Sequence, residues 1–392
     1  MTSGDDKMYD YKDKHLWKKD GVKKPDGAED CGWDLAAFID SPLGEWQLAQ
    51  ERYRALGSET DEMNEAVLAH WAGLGMKKEL FHARETGAAK YSVFTPLGLD
   101  ENGVYPVVFV NHGGAQVPYQ AEWYGYVEEA ARRGWIVVCP HWELPALQDA
   151  ANAAGMTQEA YIFRQTYDEV TARYPVDRSR VYVAGISGGG NAAGFMAQQW
   201  PELIAAVMPA TGAALQGSGV AGGGSAADPL VKIRQYGGIG LMMAYGLCDA
   251  EHRWPISDAL REMAKSVSRT QEERLAALNG WVLACGATES AVTSMEELAR
   301  YQAAYAAACA ETGEKSASVL FGMNFDREYT KEMNGFSYYF GDSFNESGDV
   351  VARFMGVPMT GHFHSRGWAG QVMDFFERFS RDPVTHRLAV SR

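Results

Sequence analysis

Gly185-Ile186-Ser187-Gly188-Gly189 contains the residue of this chain best equipped for chemistry, a serine in the pattern G-x-S-x-G. It follows the apolar run Arg180-Val181-Tyr182-Val183-Ala184 and precedes the small residues Gly190-Asn191-Ala192-Ala193-Gly194. A serine hydroxyl becomes a nucleophile when a base takes its proton and a carboxylate orients that base. Strand, sharp turn and helix form the context in which this pattern thrusts a serine out of the chain. The flanking glycines tolerate strained dihedrals and close approach.

A carboxylate and a base follow in chain order. Asp249 comes after the strand-like run 241–245 and the turn Gly246-Leu247-Cys248, with Glu251 and Asp258 as rivals. His362 follows Val357-Pro358-Met359-Thr360-Gly361 and precedes a helical segment, with His364 as the alternative base. The long interval between Asp249 and His362 fits an inserted lid. Charge developing on a carbonyl oxygen also needs preorganised N–H donors. Asn111-His112-Gly113-Gly114-Ala115 directly follows the run 107–110, which puts the Gly114 N–H in place as one donor and the Gly188 N–H as the other. His112 reads as a residue that shapes this loop, not as a base. His141, Trp142 and Glu143 end another strand on the side where loops meet a pocket, and are read either as substrate contacts or as plain loop packing.

Two other motifs carry less. His362 and His364 have H-x-H spacing, but no Asp, Glu or Cys cluster completes a metal site, and none is expected. Gly217-Ser218-Gly219-Val220-Ala221-Gly222 fits G-x-G-x-x-G but opens no helix, so no dinucleotide cofactor is expected.

The elements that must position these groups are legible. The chain has 392 residues and is 46% hydrophobic, enough for a large core. Its net charge of −15 argues against nucleic acid and anionic membrane as partners. Five separated cysteines, never in C-x-x-C spacing, argue against a disulfide framework or a zinc site. Cys139 and Cys248 end apolar runs and read as buried thiols. No signal peptide and no membrane-length apolar run is visible, so a cytoplasmic enzyme is the simplest reading. A signal removed before this numbering began would leave the same sequence.

Residues 1–30 read as a polar arm, and 43–78 as a helical extension. Strands are predicted at 91–96, 105–110, 135–139, 180–184, 203–208, 241–245 and 350–357. Helices are predicted at 120–133, 157–174 and 369–379, with a Gly/Ala/Ser-rich loop at 213–238 and a mostly helical 256–315. Strands alternating with helices argue for an α/β fold with a mainly parallel sheet covered on both faces. The division expected is an N-terminal arm and helical extension over 1–80, then one domain over 81–392 with a lid insertion at about 250–350.

The stretches 105–114 and 177–189, with Gly361-His362 and Asp374-Phe375-Phe376, resemble the α/β-hydrolase superfamily. Within it they are similar to the polyhydroxybutyrate-depolymerase and feruloyl-esterase-like esterases. The likeness covers residues 91–212 well and the C-terminal 30 or so loosely. It implies hydrolysis of carboxylic esters through an acyl-enzyme, with a small-molecule ester as partner and no cofactor. A homo-oligomer is compatible with it. The first 80 or so residues and the 250–350 insertion depart from the family pattern, so the family's named substrates do not transfer. A peptidase or amidase of the same mechanism is the second reading, and a catalytically silent ligand-binding protein the third.

Overall fold

The computed structural model describes residues 49–50, 52–84, 87–114, 118–210, 230–246, 279–288, 296, 324–333, 336–357 and 366–391. Helix α1 (Glu65–Gly73) leads into the antiparallel pair β1 (Met76–His82) and β2 (Ala89–Pro96). The alternating part follows: β3 (Tyr105–Asn111), α2 (Tyr119–Glu122), α3 (Tyr126–Arg133), β4 (Ile136–Pro140), α4 (Gln148–Ala153), α5 (Gln158–Arg173), β5 (Val176–Ile186), α6 (Gly188–Gln199), β6 (Ala206–Ala210), α7 (Val231–Gln235) and β7 (Gly240–Gly246). Then come β8 (Arg327–Met333), β9 (Phe336–Phe344), β10 (Val350–Val357), α8 (Arg366–Phe376), and the small hairpin β11 (Phe379–Arg381) and β12 (Leu388–Val390).

Ten strands form one sheet in the order β1-β2-β4-β3-β5-β6-β7-β10-β9-β8. The pairs from β4 through β10 are parallel, and the two outer strands on each flank are antiparallel. The apolar runs of the central strands are buried on both faces, as parallel sheets require. Val108, Val110, Val137, Cys139, Tyr182 and Ala184 face one core with side chains from α1, α3 and α8. The alternate residues Val107, Phe109, Ile136, Val138, Val181 and Val183 face the other, with α5, α6 and α7. This is the mainly parallel sheet with helices on both faces that the resemblance implies, the α/β-hydrolase fold. Among the described residues no helix is long and apolar enough to cross a membrane.

Local signals explain the element ends. Thr157 caps α5, its hydroxyl accepting the Ala160 N–H at 3.3 Å, and the helix stops before Pro175. Gly134, at φ 71°, closes α3 in the left-handed region.

Several expectations are corrected. The segment predicted as one helix over 120–133 is two, because Gly125 turns the chain at φ 95° between α2 and α3. The extension does not end at residue 80, because β1 straddles that boundary and belongs to the sheet. The span 250–350 is not all insertion: β8 and β9 inside it complete the sheet, and Trp281 at its helical residues 279–284 is buried in the core. The rest of that span lies outside the described residues, as do the arm 1–30, Gly217–Gly222 and Cys248. Part of the 213–238 loop is the short helix α7. The last helix ends at Phe376, and Phe379 begins a strand instead.

Two charged knots hold the far parts of the fold. Asp342 on β9 is fully buried and lies opposite Arg327 on β8 and Arg353 on β10 in the strand register. Arg353 Nε reaches Asp342 Oδ1 at 2.7 Å, and Arg327 Nη2 reaches Oδ2 at 2.5 Å. Arg381 is also buried, and its guanidinium donates to the carbonyl oxygens of Ile204, Tyr236, Gly238 and His386 at 2.5–2.9 Å.

Candidate active site

Ser187 is the single residue between β5 and α6, with φ 53° and ψ −119°. Among the described residues only Ser187 and His386 combine a side chain with positive φ. Such a conformation costs about 1–3 kcal/mol and persists only where its surroundings impose it. The surroundings are visible. The Ser187 N–H donates to the Ala210 carbonyl at the end of β6 (3.0 Å), and its carbonyl accepts the Asn191 N–H in the first turn of α6 (2.9 Å).

The glycines are required by contact. A Cβ on Gly185 would lie 2.1 Å from the Gly189 carbonyl oxygen, and one on Gly189 would lie 2.2 Å from that of His112. The end of β3 and the first turn of α6 therefore touch backbone to backbone. A Cβ on Gly188 would lie 2.7 Å from the Gly114 nitrogen. Gly114 and Gly188, both named from the sequence as donors, thus stand side by side next to Ser187. Gly188 opens a helix, where first-turn N–H groups have no partner within the helix. Such a pair of N–H groups can receive the negative charge that develops on a carbonyl oxygen.

The loop 111–114 is fixed from several sides. Asn111 Nδ2 donates to the Ala184 carbonyl at 3.0 Å, tying β3 to β5. His112 is fully buried, its Nδ1 is 2.7 Å from the Gly113 carbonyl, and burial drives its pKa down to about 3. It stays neutral at ordinary pH and shapes the loop. Trp142 stacks on the His112 ring, and its Nε1 donates to the His112 carbonyl at 2.8 Å. A Cβ on Gly188 would sit 3.1 Å from the Trp142 ring, so this side chain lies close against Gly188. His141 lies against the His112 ring edge-on, with Nδ1 3.1 Å from the Ala89 carbonyl, and burial lowers its pKa. Glu143 is part-buried beside it.

Asp249, Glu251, Asp258, His362 and His364 lie outside the described residues. Of the residues named for the site, the structure therefore brings together Ser187, Gly188, Gly114, His141 and Trp142.

Three residues that sequence reasoning passed over stand behind the loop. The Tyr124 hydroxyl is bonded to the Gly113 backbone in a way that favours the phenolate, which identifies the Gly113 N–H as donor. Glu122 and Lys78 have no exposed side-chain surface and meet at 2.8 Å. Glu122 also accepts from the Tyr53 hydroxyl and, at 2.8 Å, from Ser92 Oγ. Lys78 donates to the Glu62 carbonyl at 2.8 Å and lies 3.6 Å from the Glu62 carboxylate. Burial and the nearby Glu122 push the Glu62 carboxyl up to about 7. Burial raises the Tyr53 hydroxyl and the Cys139 thiol well above their ordinary values. In the sequence Glu122 reads as one more polar residue of a helix, and no spacing signal sets it apart.

No family model and no curated protein matches the chain. Solved structures with a similar chain path include a ferulic acid esterase, 18% identical over 44% of this chain and 78% of that one, TM-score 0.32. An S-formylglutathione hydrolase from Staphylococcus aureus is 17% identical over 44% of this chain and 77% of that one, TM-score 0.34. Another, from Agrobacterium tumefaciens, is 16% identical over 48% of this chain and 81% of that one, TM-score 0.35. What the site can do rests on its own residues.

Proposed function

We propose that the protein is a serine hydrolase that cleaves carboxylic esters through an acyl-enzyme. Ser187 Oγ attacks the ester carbonyl and His362 accepts its proton. The Gly114 and Gly188 N–H groups hold the resulting oxyanion. As the C–O bond breaks, His362 passes the proton to the leaving alcohol, and Asp249 orients His362 throughout. A water, deprotonated by His362, then releases the acid and restores Ser187. Trp142 forms the wall beside the oxyanion, and His141 and Glu143 extend it toward the substrate.

The observation that carries this reading is the strained Ser187 at a strand–turn–helix junction, with Gly114 packed against Gly188 beside it. Labelling of the purified protein by a fluorophosphonate, with the modified peptide identified by mass spectrometry, tests it. The adduct is expected on Ser187 and absent from Ser187→Ala, which should also lose ester turnover by at least about a thousandfold. His362→Ala should lose turnover and His364→Ala should retain it. The reverse pattern would exchange the two histidines, and folded protein that takes no label would remove the nucleophile.

A further inference from the structure

We infer that Glu122 and Tyr124 form a brace through which the N-terminal helical region and the first two strands position the oxyanion loop. This rests on the reading of Gly114 as an oxyanion donor. Glu122 is the last residue of α2, a helix of four residues that is far too short to hold itself. Its place is set by what reaches its carboxylate: Lys78 from β1, Ser92 from β2, and Tyr53 from the segment before α1. Trp71 of α1 adds a bond from Nε1 to the Tyr53 hydroxyl at 3.4 Å, and Lys78 binds the Glu62 carbonyl. Three separate segments thus converge on one buried carboxylate, and α1 is tied to it through Tyr53.

From Glu122 the connection to the loop is two residues long. Trp123 and Tyr124 are buried, and the Tyr124 hydroxyl takes the Gly113 N–H. That bond holds Gly113, and the nitrogen of the next residue, Gly114, stands 2.7 Å from where a Cβ on Gly188 would sit. An oxyanion donor must sit about 2.7–3.1 Å from the position the charge will occupy, so small displacements weaken it steeply. A buried ion pair is an inefficient way to stabilise a core, since apolar residues of similar volume do as well or better. What it supplies here is direction: each donor has one place to sit. Glu122, Lys78 and Tyr124 are accordingly positioning residues, and none of them touches the substrate.

The test uses the full chain and two variants. Tyr124→Phe deletes only the hydroxyl. The double variant Lys78→Met with Glu122→Leu removes the charges together and leaves no unpaired buried ion. Hydrogen exchange of peptides covering 112–124 is measured beside kcat and KM on an aryl ester. Exchange at Gly113 should rise at least about tenfold in both variants, with residues 180–200 unchanged. kcat should fall about tenfold with KM within about twofold, because the interaction lost is one made in the transition state. Unchanged exchange in both variants overturns the brace. Faster exchange with unchanged kcat overturns its catalytic role. Should the double variant fail to fold, Tyr124→Phe decides alone. If the wild-type protein turns over no ester, the proposed function fails, whereas the exchange measurement still decides whether the brace exists.

Discussion

Each flank of the sheet buries one carboxylate completely, and the two are neutralised differently. On the β8–β9–β10 flank, Asp342 lies between two arginines placed opposite it by strand register. Its partner Arg353 has its pKa raised, burial being outweighed by the bonds and charge of Asp342. On the β1–β2 flank, Glu122 shares its one ammonium, Lys78, with a second carboxylate, Glu62. A guanidinium fork held by a strand ladder makes a fixed joint. A single ammonium between two acids leaves one negative charge too many, and a proton on Glu62 is the cheapest remedy. The flank that holds Glu62 therefore responds to pH near neutrality. The responsive flank lies behind the loop that carries Gly114.

The largest expected effect breaks both joints and compares them. Asp342→Ala leaves the half-buried Arg353 without its carboxylate and should cost about 3 kcal/mol in denaturant unfolding, with kcat of the folded fraction unchanged. Lys78→Ala should cost a similar amount and lower kcat as well. Equal losses of kcat in the two variants would show that the flanks do not differ in function.

A smaller effect sharpens the contrast in pH response. The folded protein holds the Glu62 proton more tightly than the unfolded chain, with a carboxyl at about 7 against an ordinary 4.5. Its contribution to stability is fully present below about pH 4.5 and is lost as pH rises through about 7. Burial sets this value first, and then the charges of Glu122, Lys78 and Asp61 around it. Glu62→Gln should therefore gain on the wild type by on the order of 3 kcal/mol between pH 4.5 and 8, measured as the difference of their stability profiles. Parallel profiles would remove the contrast between the flanks.

The smallest effect lies between the flanks, at the elbow. Ser187→Gly removes the side chain from a positive-φ position and should raise stability by about 1–2 kcal/mol while abolishing turnover. A destabilised Ser187→Gly would mean that the serine side chain makes contacts worth more than the strain.

What could be read from the residues follows the same division. The central strands were legible because burial on both faces turns them into apolar runs, as in 105–110 and 135–139. The elbow was legible because Gly185, Gly188 and Gly189 are demanded by backbone contacts that no other residue type permits. The flanks were not. β1 carries Lys77, Lys78 and Glu79, and β8 is exposed along most of its length, so both edge strands lack an apolar run. Lys78 and Glu122 are 44 residues apart, and Tyr53 and Glu122 are 69 apart, so nothing local announces that they meet. The α2–α3 break depends on one glycine with positive φ inside a helical pattern, a position where glycine is ordinarily only a weak signal.

Arg381 has a consequence in time as well as in space. The carbonyls of Ile204, Tyr236 and Gly238 that it satisfies are made 177, 145 and 143 residues ahead of it. At roughly 5–20 residues per second of synthesis, those acceptors wait about 7–35 s for the guanidinium that completes them. β10, which fills the place between β7 and β9, arrives in the same late interval. The growing chain must carry a half-built sheet with an open β7 edge through that delay, a window in which chaperone occupancy and translation speed would govern the yield of folded protein.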